Sequence, residues 1–185
     1  MKILYLLVFT LITIIVASCD MNEPIIAPNF FPLRVGDKFL YRLSPESQFP
    51  SILEPKEEIE VRTTRKVDTL GKTYYEIENY FSPYYHPEGT VYARCDGNNV
   101  YFFFLNLGKE VLYYNFDMPL DSIYIITDRW GVDYMQILER DEEHVLFFCG
   151  VEDSQEYILF EKNKGRTQTI DYGYGVGTRI YDLVK

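Results

Sequence analysis

Three cysteines and two histidines are the side chains of this 185-residue chain best suited to act as nucleophiles, proton carriers or metal ligands. They are Cys19, Cys95, Cys149, His86 and His144. Neither histidine has a nucleophile or a second ligand at a spacing that supports catalysis or metal binding. Motifs such as Gly-x-Ser-x-Gly and His-Glu-x-x-His are also absent. The sequence therefore predicts no catalytic residue, no metal site, no cofactor and no enzymatic activity.

Cys19 is the one of these residues whose neighbours indicate a specific modification. Lys2 precedes an apolar run at residues 3–16, and Ala17-Ser18 lead directly into the cysteine. The run is shorter than the roughly 20 residues that a spanning helix needs, and its cationic start and small-residue exit are typical of a secretory signal. The segment resembles a bacterial lipoprotein signal with its lipobox. This resemblance implies that Cys19 takes a diacylglyceryl group on its sulfur and that the chain is cleaved just before it.

Two other interpretations of this leader stay open: an uncleaved N-terminal anchor, and a simple signal peptide cut beside an ordinary cysteine. The position of Cys19 directly after two small residues favours the lipoprotein interpretation. Because two or three acyl chains hold a protein stably on a bilayer, the mature protein would be anchored in the cell envelope without spanning the membrane. We expect the outer membrane, and Asp20 leaves the face open. An acidic residue after the cysteine accompanies inner-membrane retention in some sorting systems and surface export in others.

The chain is acidic, with 18 Lys and Arg against 28 Asp and Glu and a net charge of −10. Removal of residues 1–18, in which Lys2 is the only charge, leaves 167 residues with a net charge of −11. Negative charge disfavours nucleic acid and anionic lipid surfaces as partners. The length is that of one ordinary domain. We therefore expect one folded domain and no nucleic-acid partner.

Three segments are predicted along the chain. Residues 1–18 form the signal peptide. Residues 19–32 form the lipidated cysteine and a tether, whose three prolines favour an extended chain. Residues 33–185 form a single all-β domain, with folded structure beginning between Phe30 and Leu33.

Alternation of polar and apolar residues predicts β-strands throughout the domain. It is clearest at residues 58–67, where Ile59, Val61 and Thr63 share one face that Arg65 interrupts. Alternation with one polar face indicates an antiparallel sheet that is buried on one side. Turn signals recur about every ten residues. The predicted fold class is all-β: an antiparallel meander of roughly nine to eleven strands that forms a curved, barrel-like or sandwich-like sheet.

Glycine and asparagine mark several predicted hairpin turns, because these residues tolerate positive φ. The turns are Gly71-Lys72, Asp96-Gly97-Asn98-Asn99 and Gly108-Lys109. The acidic residues at 139–143 lack the oxygen spacing of a calcium loop and predict a solvated hairpin tip. Gly173, Gly175 and Gly177 alternate near the C-terminus. They predict a bulge, a bend or the close approach of another backbone within one strand.

A second resemblance is carried by the segment Phe30-Phe31-Pro32-Leu33-Arg34-Val35-Gly36-Asp37-Lys38-Phe39-Leu40-Tyr41. It is similar to the opening strand of uncharacterised β-rich lipoproteins of Gram-negative envelopes. Residues 111–117 and 174–177 resemble later landmarks of the same group, and Phe39 stands where that group usually has tryptophan. The resemblance implies a fold style and an envelope location, and it implies no activity.

Cys95 and Cys149 have two open interpretations. An exported compartment permits a disulfide between them, and they could equally be two buried thiols that behave as small apolar residues. Alternation places Cys95 on the face of Val91 and Ala93, which predicts that it is buried. No histidine or further cysteine lies at ligand spacing to either, so a metal site is not expected.

The abundance of aromatic residues, with 17 Tyr and 13 Phe, is the one sign of binding. Most are expected to fill the core and to brace cross-strand pairs. Tyr84 and Tyr85 lie in a loop sequence and Trp130 lies near a turn, so these three are candidate ligand contacts.

Three functions are therefore compared. The leading hypothesis is a non-enzymatic, lipid-anchored envelope protein that binds an unknown ligand or envelope protein. The second is a structural or assembly subunit of an envelope complex that uses an edge strand as its interface. The third, a hydrolase of envelope polymers, has the least support because such carboxylate pairs meet in space and leave no sequence motif.

Substitution Cys19→Ala is expected to leave an unlipidated protein, because the acyl group has no other thiol at a lipobox. The measurement is incorporation of labelled fatty acid into the variant and the wild type. Continued labelling of the variant would contradict the lipoprotein interpretation.

Overall fold

The computed structural model of the protein describes residues 29–48, 57–80, 89–105, 107–127, 132–151, 154–173 and 177–184. These residues form twelve β-strands. No helix in this part of the chain is long and apolar enough to cross a membrane. The strands are β1 (Lys38–Leu43), β2 (Glu58–Thr69), β3 (Lys72–Glu78), β4 (Val91–Asp96), β5 (Asn99–Phe104), β6 (Lys109–Asn115), β7 (Ile123–Thr127), β8 (Val132–Arg140), β9 (His144–Val151), β10 (Ser154–Glu161), β11 (Gly165–Gly173) and β12 (Gly177–Leu183).

All twelve strands join one antiparallel sheet in the order β6-β5-β4-β3-β2-β1-β12-β11-β10-β9-β8-β7. Ladders join consecutive strands from β1 to β6 and from β7 to β12. One further ladder joins β1 to β12, with Tyr41 opposite Leu183. This pairing curls the sheet into a nearly closed, barrel-like shape, and the prediction of an all-β antiparallel meander is confirmed.

Side chains, rather than a ladder, bridge the seam between β6 and β7 in the described residues. The Tyr124 hydroxyl of β7 donates to the main-chain oxygen of Tyr113 in β6. Arg140 of β8 donates from Nη1 to the carbonyl oxygens of Phe116 and Met118, at 2.9 and 3.1 Å. Burial raises the pKa of Tyr124, so its hydroxyl stays protonated and able to donate.

The strand count exceeds the predicted range because alternation missed β7 and the division between β11 and β12. β7 has only five residues. β11 carries buried polar residues, Thr169 and Asp171, that blur its apolar alternation. Gly173 ends β11 and pairs with Gly177, which begins β12. These glycines therefore flank a hairpin connection, and the expectation of a bulge or bend within one strand is wrong.

The predicted hairpin turns are confirmed. Leu70 and Gly71 connect β2 to β3 with φ values of 52° and 72°. Gly97 connects β4 to β5 with a φ of 58°, and Gly108 precedes β6 with a φ of 60°. Positive φ at these positions matches the right-handed twist of the flanking strands, which explains why the turn residues could be recognised in the sequence.

A β-bulge explains why Arg65 interrupts the apolar alternation of β2. Thr63 pairs with Ile77 of β3, whereas Arg65, two residues further on, pairs with the adjacent Glu76. One extra residue in β2 thus moves Arg65 to the outward side of the sheet. There its Nη2 lies 2.9 Å from Glu76 Oε2.

The barrel interior is filled by aromatic side chains. Tyr114, which is 1% exposed, lies at the centre with ring centroids 5.0 Å from Phe160 and 5.5 Å from Phe147. Phe102 stacks on Tyr113 at 4.4 Å. Edge-to-face and offset contacts of this kind add to the free energy of burying the rings. The inward sides of the described strands therefore pack against each other through these rings.

The N-terminal segment belongs to this core. Phe30 and Phe31 are 8% and 7% exposed. Phe30 stacks on Phe116 with ring centroids 5.3 Å apart, and the Phe31 centroid lies 5.9 Å from that of Tyr114. The folded part thus begins before Phe30, and residues 29–32 belong to the domain. The predicted tether, residues 19–32, extends too far towards the C-terminus, because Phe30 and Phe31 are buried in the core.

An ion-pair network lies on the outward side of β3, β4 and β6. The Glu110 carboxylate accepts hydrogen bonds from Arg94 Nη2 at 3.0 Å, Lys72 Nζ at 2.6 Å and the Tyr74 hydroxyl at 2.8 Å. Burial raises the pKa of Glu110, but the hydrogen bonds from Arg94, Lys72 and Tyr74 outweigh it and lower the pKa to about 2. The carboxylate therefore stays ionised and ties three strands together.

Substitution Glu110→Gln is expected to lower the free energy of unfolding by about 2–3 kcal/mol at pH 7, since a pKa below the unfolded value stabilises the fold. That stabilisation is complete above the unfolded pKa of about 4.3 and is lost as the pH falls towards 2. Urea unfolding at pH 7 and at lower pH measures both effects.

Asp96→Asn is the matched control, because Asp96 pairs with the same Arg94 at 3.4 Å while its side chain is 70% exposed. Its cost is expected to stay below about 0.5 kcal/mol. Equal losses in the two variants, or a Glu110→Gln loss that does not shrink in acid, would contradict the role given to Glu110.

Candidate functional site

A cleft of about 580 Å³ opens at the end of the barrel where β1 begins and β12 ends. We call it the end cleft. Its apolar walls are Pro32 and Leu33 of the N-terminal segment, Phe39 of β1 and Leu183 of β12. Asn163 and Lys164 of the β10–β11 turn line the opposite side. The cleft thus depends on the pairing of β1 with β12 and on the path of the N-terminal segment.

Close backbone contacts hold the N-terminal segment over the barrel end. The Asn163 N–H donates to the Asn29 carbonyl at 2.9 Å, and the Gly36 N–H donates to the Thr63 carbonyl at 2.8 Å. Gly165 has a φ of 86°, and a Cβ there would lie 3.2 Å from Pro32 Cδ. Glycine therefore satisfies both the backbone conformation and the approach of Pro32.

The end cleft is also lined by charged residues. They are Arg34, Asp37, Lys38 and Lys164. Lys164 is already engaged by the Glu161 carboxylate. Within the described ranges Arg34 and Lys38 have no ion-pair partner. The cleft therefore combines apolar walls with two cations that can meet an anionic group.

A cavity of about 30 Å³ lies beside the end cleft and shares Pro32, Leu33 and Phe39 with it. Tyr80 and Arg166 line its inner end. A space of this size holds about one water molecule. The end cleft, and not this cavity, has the volume that a small-molecule ligand needs.

Arg166 is a buried cation beside the cavity, with 4% exposure. Its guanidinium lies over the Tyr80 ring at 4.6 Å and the Tyr41 ring at 5.4 Å. The Tyr41 hydroxyl donates to the Arg166 carbonyl oxygen at 2.8 Å. The hydroxyls of Tyr80 and Tyr114 lie 3.0 Å apart. Arg166 thus sits in a ring of phenols where cation–π attraction compensates part of its lost hydration.

The charge states of this cluster follow from burial. Burial raises the pKa of Tyr80 to about 12, and the nearby Arg166 charge only partly opposes it. Burial also raises the pKa of Tyr114. For Arg166 burial lowers the pKa, but the surrounding phenol oxygens and Glu156 outweigh it and raise the pKa above its ordinary value. The tyrosines are neutral and the arginine is charged, so none of them is a proton carrier near neutral pH.

A row of inward ionisable residues crosses β10, β11 and β12. In the ladders Glu156 lies opposite Asp171, and Asp171 lies opposite Arg179. The two acids are 3% and 0% exposed. Arg179 Nε lies 2.8 Å from Asp171 Oδ2. These residues are not among the site residues predicted from the sequence, although Glu156 shares its strand parity with Ile158, which indicates an inward position. Neither acid lines the end cleft or the cavity.

Comparison with known proteins adds a single observation about the fold. No protein-family model and no curated protein matches the chain. Among solved structures it is similar to a Bacteroides fragilis protein described as a "putative exported protein with YmcC-like fold". The identity is 8% and the TM-score 0.41, over 83% of this chain and 96% of that chain. A similarity of this size carries no argument about function.

Several predicted site residues lie outside the described part of the chain. They are the lipidation site Cys19 and the candidate ligand contacts Tyr84, Tyr85 and Trp130, together with His86. Their predictions stand as made from the sequence. The end cleft is lined by other residues. No sequence motif indicates the cleft, because its walls come from segments that are far apart in the sequence.

His144 lies at the start of β9, beside an exposed turn. Its main-chain N–H and its Nδ1 both approach Asp141 Oδ1, at 2.7 and 3.2 Å. The side chains of His144 and Asp141 are 49% and 68% exposed. This confirms the solvated hairpin tip predicted around residues 139–143. The histidine and carboxylate meet on a turn that lines neither the end cleft nor the cavity.

Neither Cys95, in β4, nor Cys149, in β9, is disulfide-bonded in the described part of the chain. Cys149 is buried, as one interpretation of the sequence required. The prediction that Cys95 is buried is wrong. The residue is exposed, because it lies at the last inward position before the Gly97 turn. Its sulfur still donates to the Phe31 carbonyl oxygen at 3.4 Å, and burial raises the pKa of this thiol to about 11.

Both thiols are expected to be alkylated in denaturant without a reductant, with no mass change on reduction. In the folded protein at pH 8 Cys95 is expected to react on the order of 100-fold more slowly than an ordinary thiol, because the thiolate is the nucleophile. Its rate should rise with pH up to about 11. Intact-mass measurement checks both points. A gain of two hydrogens on reduction would show a bridge instead.

Proposed function

We propose that this protein is a lipid-anchored, non-enzymatic protein of the cell envelope that binds a ligand in the end cleft. The cleft is the observation that carries the proposal. It is a ligand-sized space at the end of the barrel, and it places apolar walls next to Arg34 and Lys38. A ligand with a small apolar part and an anionic group fits this chemistry.

The anchor supports a location for the cleft. Asn29, where the described structure begins, lies ten positions along the chain from Cys19. An extended chain of that length spans at most about 35 Å. Asn29 bounds the end cleft, so lipid on Cys19 would hold the cleft end within that distance of the membrane. We expect the outer membrane and leave open whether the domain faces the periplasm or the cell surface.

The absence of enzymatic activity is supported by where the ionisable residues lie. His144 and Asp141 meet on an exposed turn. Glu156 and Asp171 are buried in the barrel and do not line the end cleft. A hydrolase of envelope polymers needs a carboxylate pair that a sugar chain can reach. A role as an assembly subunit has more support, because apolar side chains such as Ile125 and Tyr172 are exposed on one half of the barrel.

The probe that tests the end cleft is anilinonaphthalene sulfonate, which carries one anionic group on an apolar body. With the full lipidated chain in nanodiscs of neutral lipid, we expect one saturable site by fluorescence after subtraction of empty nanodiscs. Arg34→Glu is expected to weaken binding about tenfold, since it replaces an attraction near the surface by a repulsion. Leu33→Trp, which fills the cleft, should abolish binding.

Lys66→Glu is the matched control, because it makes the same charge change on an exposed residue of β2 outside the cleft. Its affinity should stay within twofold of wild type. Probe binding that survives both Leu33→Trp and Arg34→Glu would refute the end cleft as the site. It would leave the lipid anchor untouched, since labelling of Cys19 is measured separately.

A further inference from the structure

The outward side of β7 to β11 carries a group of apolar side chains. In β9 and β10 the buried residues Phe147 and Phe160 point into the barrel, so the alternate residues Phe148 and Tyr157 point outward. The same parity places Ile125, Tyr134, Ile170 and Tyr172 outward on β7, β8 and β11. We call these six side chains, and the strands that carry them, the apolar face.

Several members of the apolar face are well exposed. Ile125 is 67% exposed, Tyr134 37% and Tyr172 43%. Phe148, Tyr157 and Ile170 are half-buried by their neighbours. A contiguous patch of this kind is unusual on a monomer and marks an interaction site.

Contacts between its rings make the apolar face continuous across four strands. The Tyr134 and Phe148 centroids lie 5.6 Å apart, those of Phe148 and Tyr157 5.2 Å, and those of Tyr157 and Tyr172 5.7 Å. Gly150 lies under the first ring, where a Cβ would come within 2.1 Å of Tyr134 Cζ. The rings are therefore held in place before any partner arrives, which lowers the entropic cost of binding.

Charge distinguishes this side from the other half of the barrel. The outward side of β2 to β6 carries ion pairs such as Arg65–Glu76 and Arg94–Glu110. On the apolar face charges occur only at the border, among them Glu161 and Asp182, within the described residues. Its centre instead carries neutral side chains. A partner can therefore cover this centre without burying an unpaired charge.

We propose that a second copy of this chain packs on the apolar face, sheet against sheet. Its five strands, β7 to β11, span about 24 Å at 4.8 Å per strand, and they are about 20–30 Å long. The face thus approaches the roughly 800 Å² per partner that a stable interface buries.

The chain's net charge favours this place for contact between two copies. With a net charge of −10, two copies repel each other over most orientations. At the uncharged centre two copies can make contact without bringing like charges together. A two-fold axis along the strands also leaves both N-terminal segments at the same end, so both anchors can reach one membrane. The inference itself requires neither the anchor nor the end cleft.

Photo-crosslinking in the native membrane tests the interface. Benzoylphenylalanine replaces Tyr172 in the full chain, with tagged and untagged copies expressed together. We expect an adduct of twice the chain mass that contains both copies. A second substitution, Ile125→Lys, should reduce this adduct at least tenfold, because it places a charge at the interface.

Leu70 gives the matched control, since it is 68% exposed on the β2–β3 turn, away from the apolar face. Benzoylphenylalanine at Leu70 should give no dimer adduct, and Leu70→Lys should leave the Tyr172 adduct unchanged. The proposal fails if no adduct forms, if the adduct has another mass, or if it lies within one chain. Those results would assign the face to no partner, to a different protein or to the chain's own N-terminal residues.

Discussion

The pairing of β1 with β12 is the constraint on which the rest of the structure depends. Among the described residues, every other ladder joins strands that are neighbours in sequence, and such hairpins can form locally. In this part of the chain, the ladder of Tyr41 with Leu183 alone joins the beginning of the domain to its end. It turns an open meander into a barrel with an inside, and it brings the β1 and β12 walls of the end cleft together. The Tyr41 hydroxyl then reaches the Arg166 carbonyl across that inside.

Closure also explains how charge is distributed. Aromatic rings fill the inward positions. The charged residues among them include Arg166, whose guanidinium lies over a tyrosine ring, and Asp171, which accepts a hydrogen bond from Arg179. Such buried charges constrain the packing more than they stabilise it. The two outward sides then differ, since ion pairs cover one half and apolar side chains the other. Binding functions are therefore expected at the barrel end and on the apolar side, and not in the interior.

Local patterns predicted the local parts of this structure. Alternation placed β2, and the positive φ of Gly97 was foreseeable from its turn sequence. The bulge at Arg65 was not, because it depends on which β3 residue lies opposite. Burial of Phe30 likewise depends on a space that exists only after closure. The end cleft unites Arg34 with Lys164 and Leu183, and no pattern within one segment indicates that they meet.

The β1–β12 ladder also sets an order of events during synthesis. Residues 38–43 emerge early and can pair with β2, but their other edge has no partner until residues 177–183 have been made. Through that interval β1 is an open edge of a growing sheet, and such edges recruit other chains. The β1 edge is therefore covered only in a late step, when the last strand, β12, pairs with it. A chain truncated before β12 would keep most of its hairpins and would still expose the unpaired edge of β1.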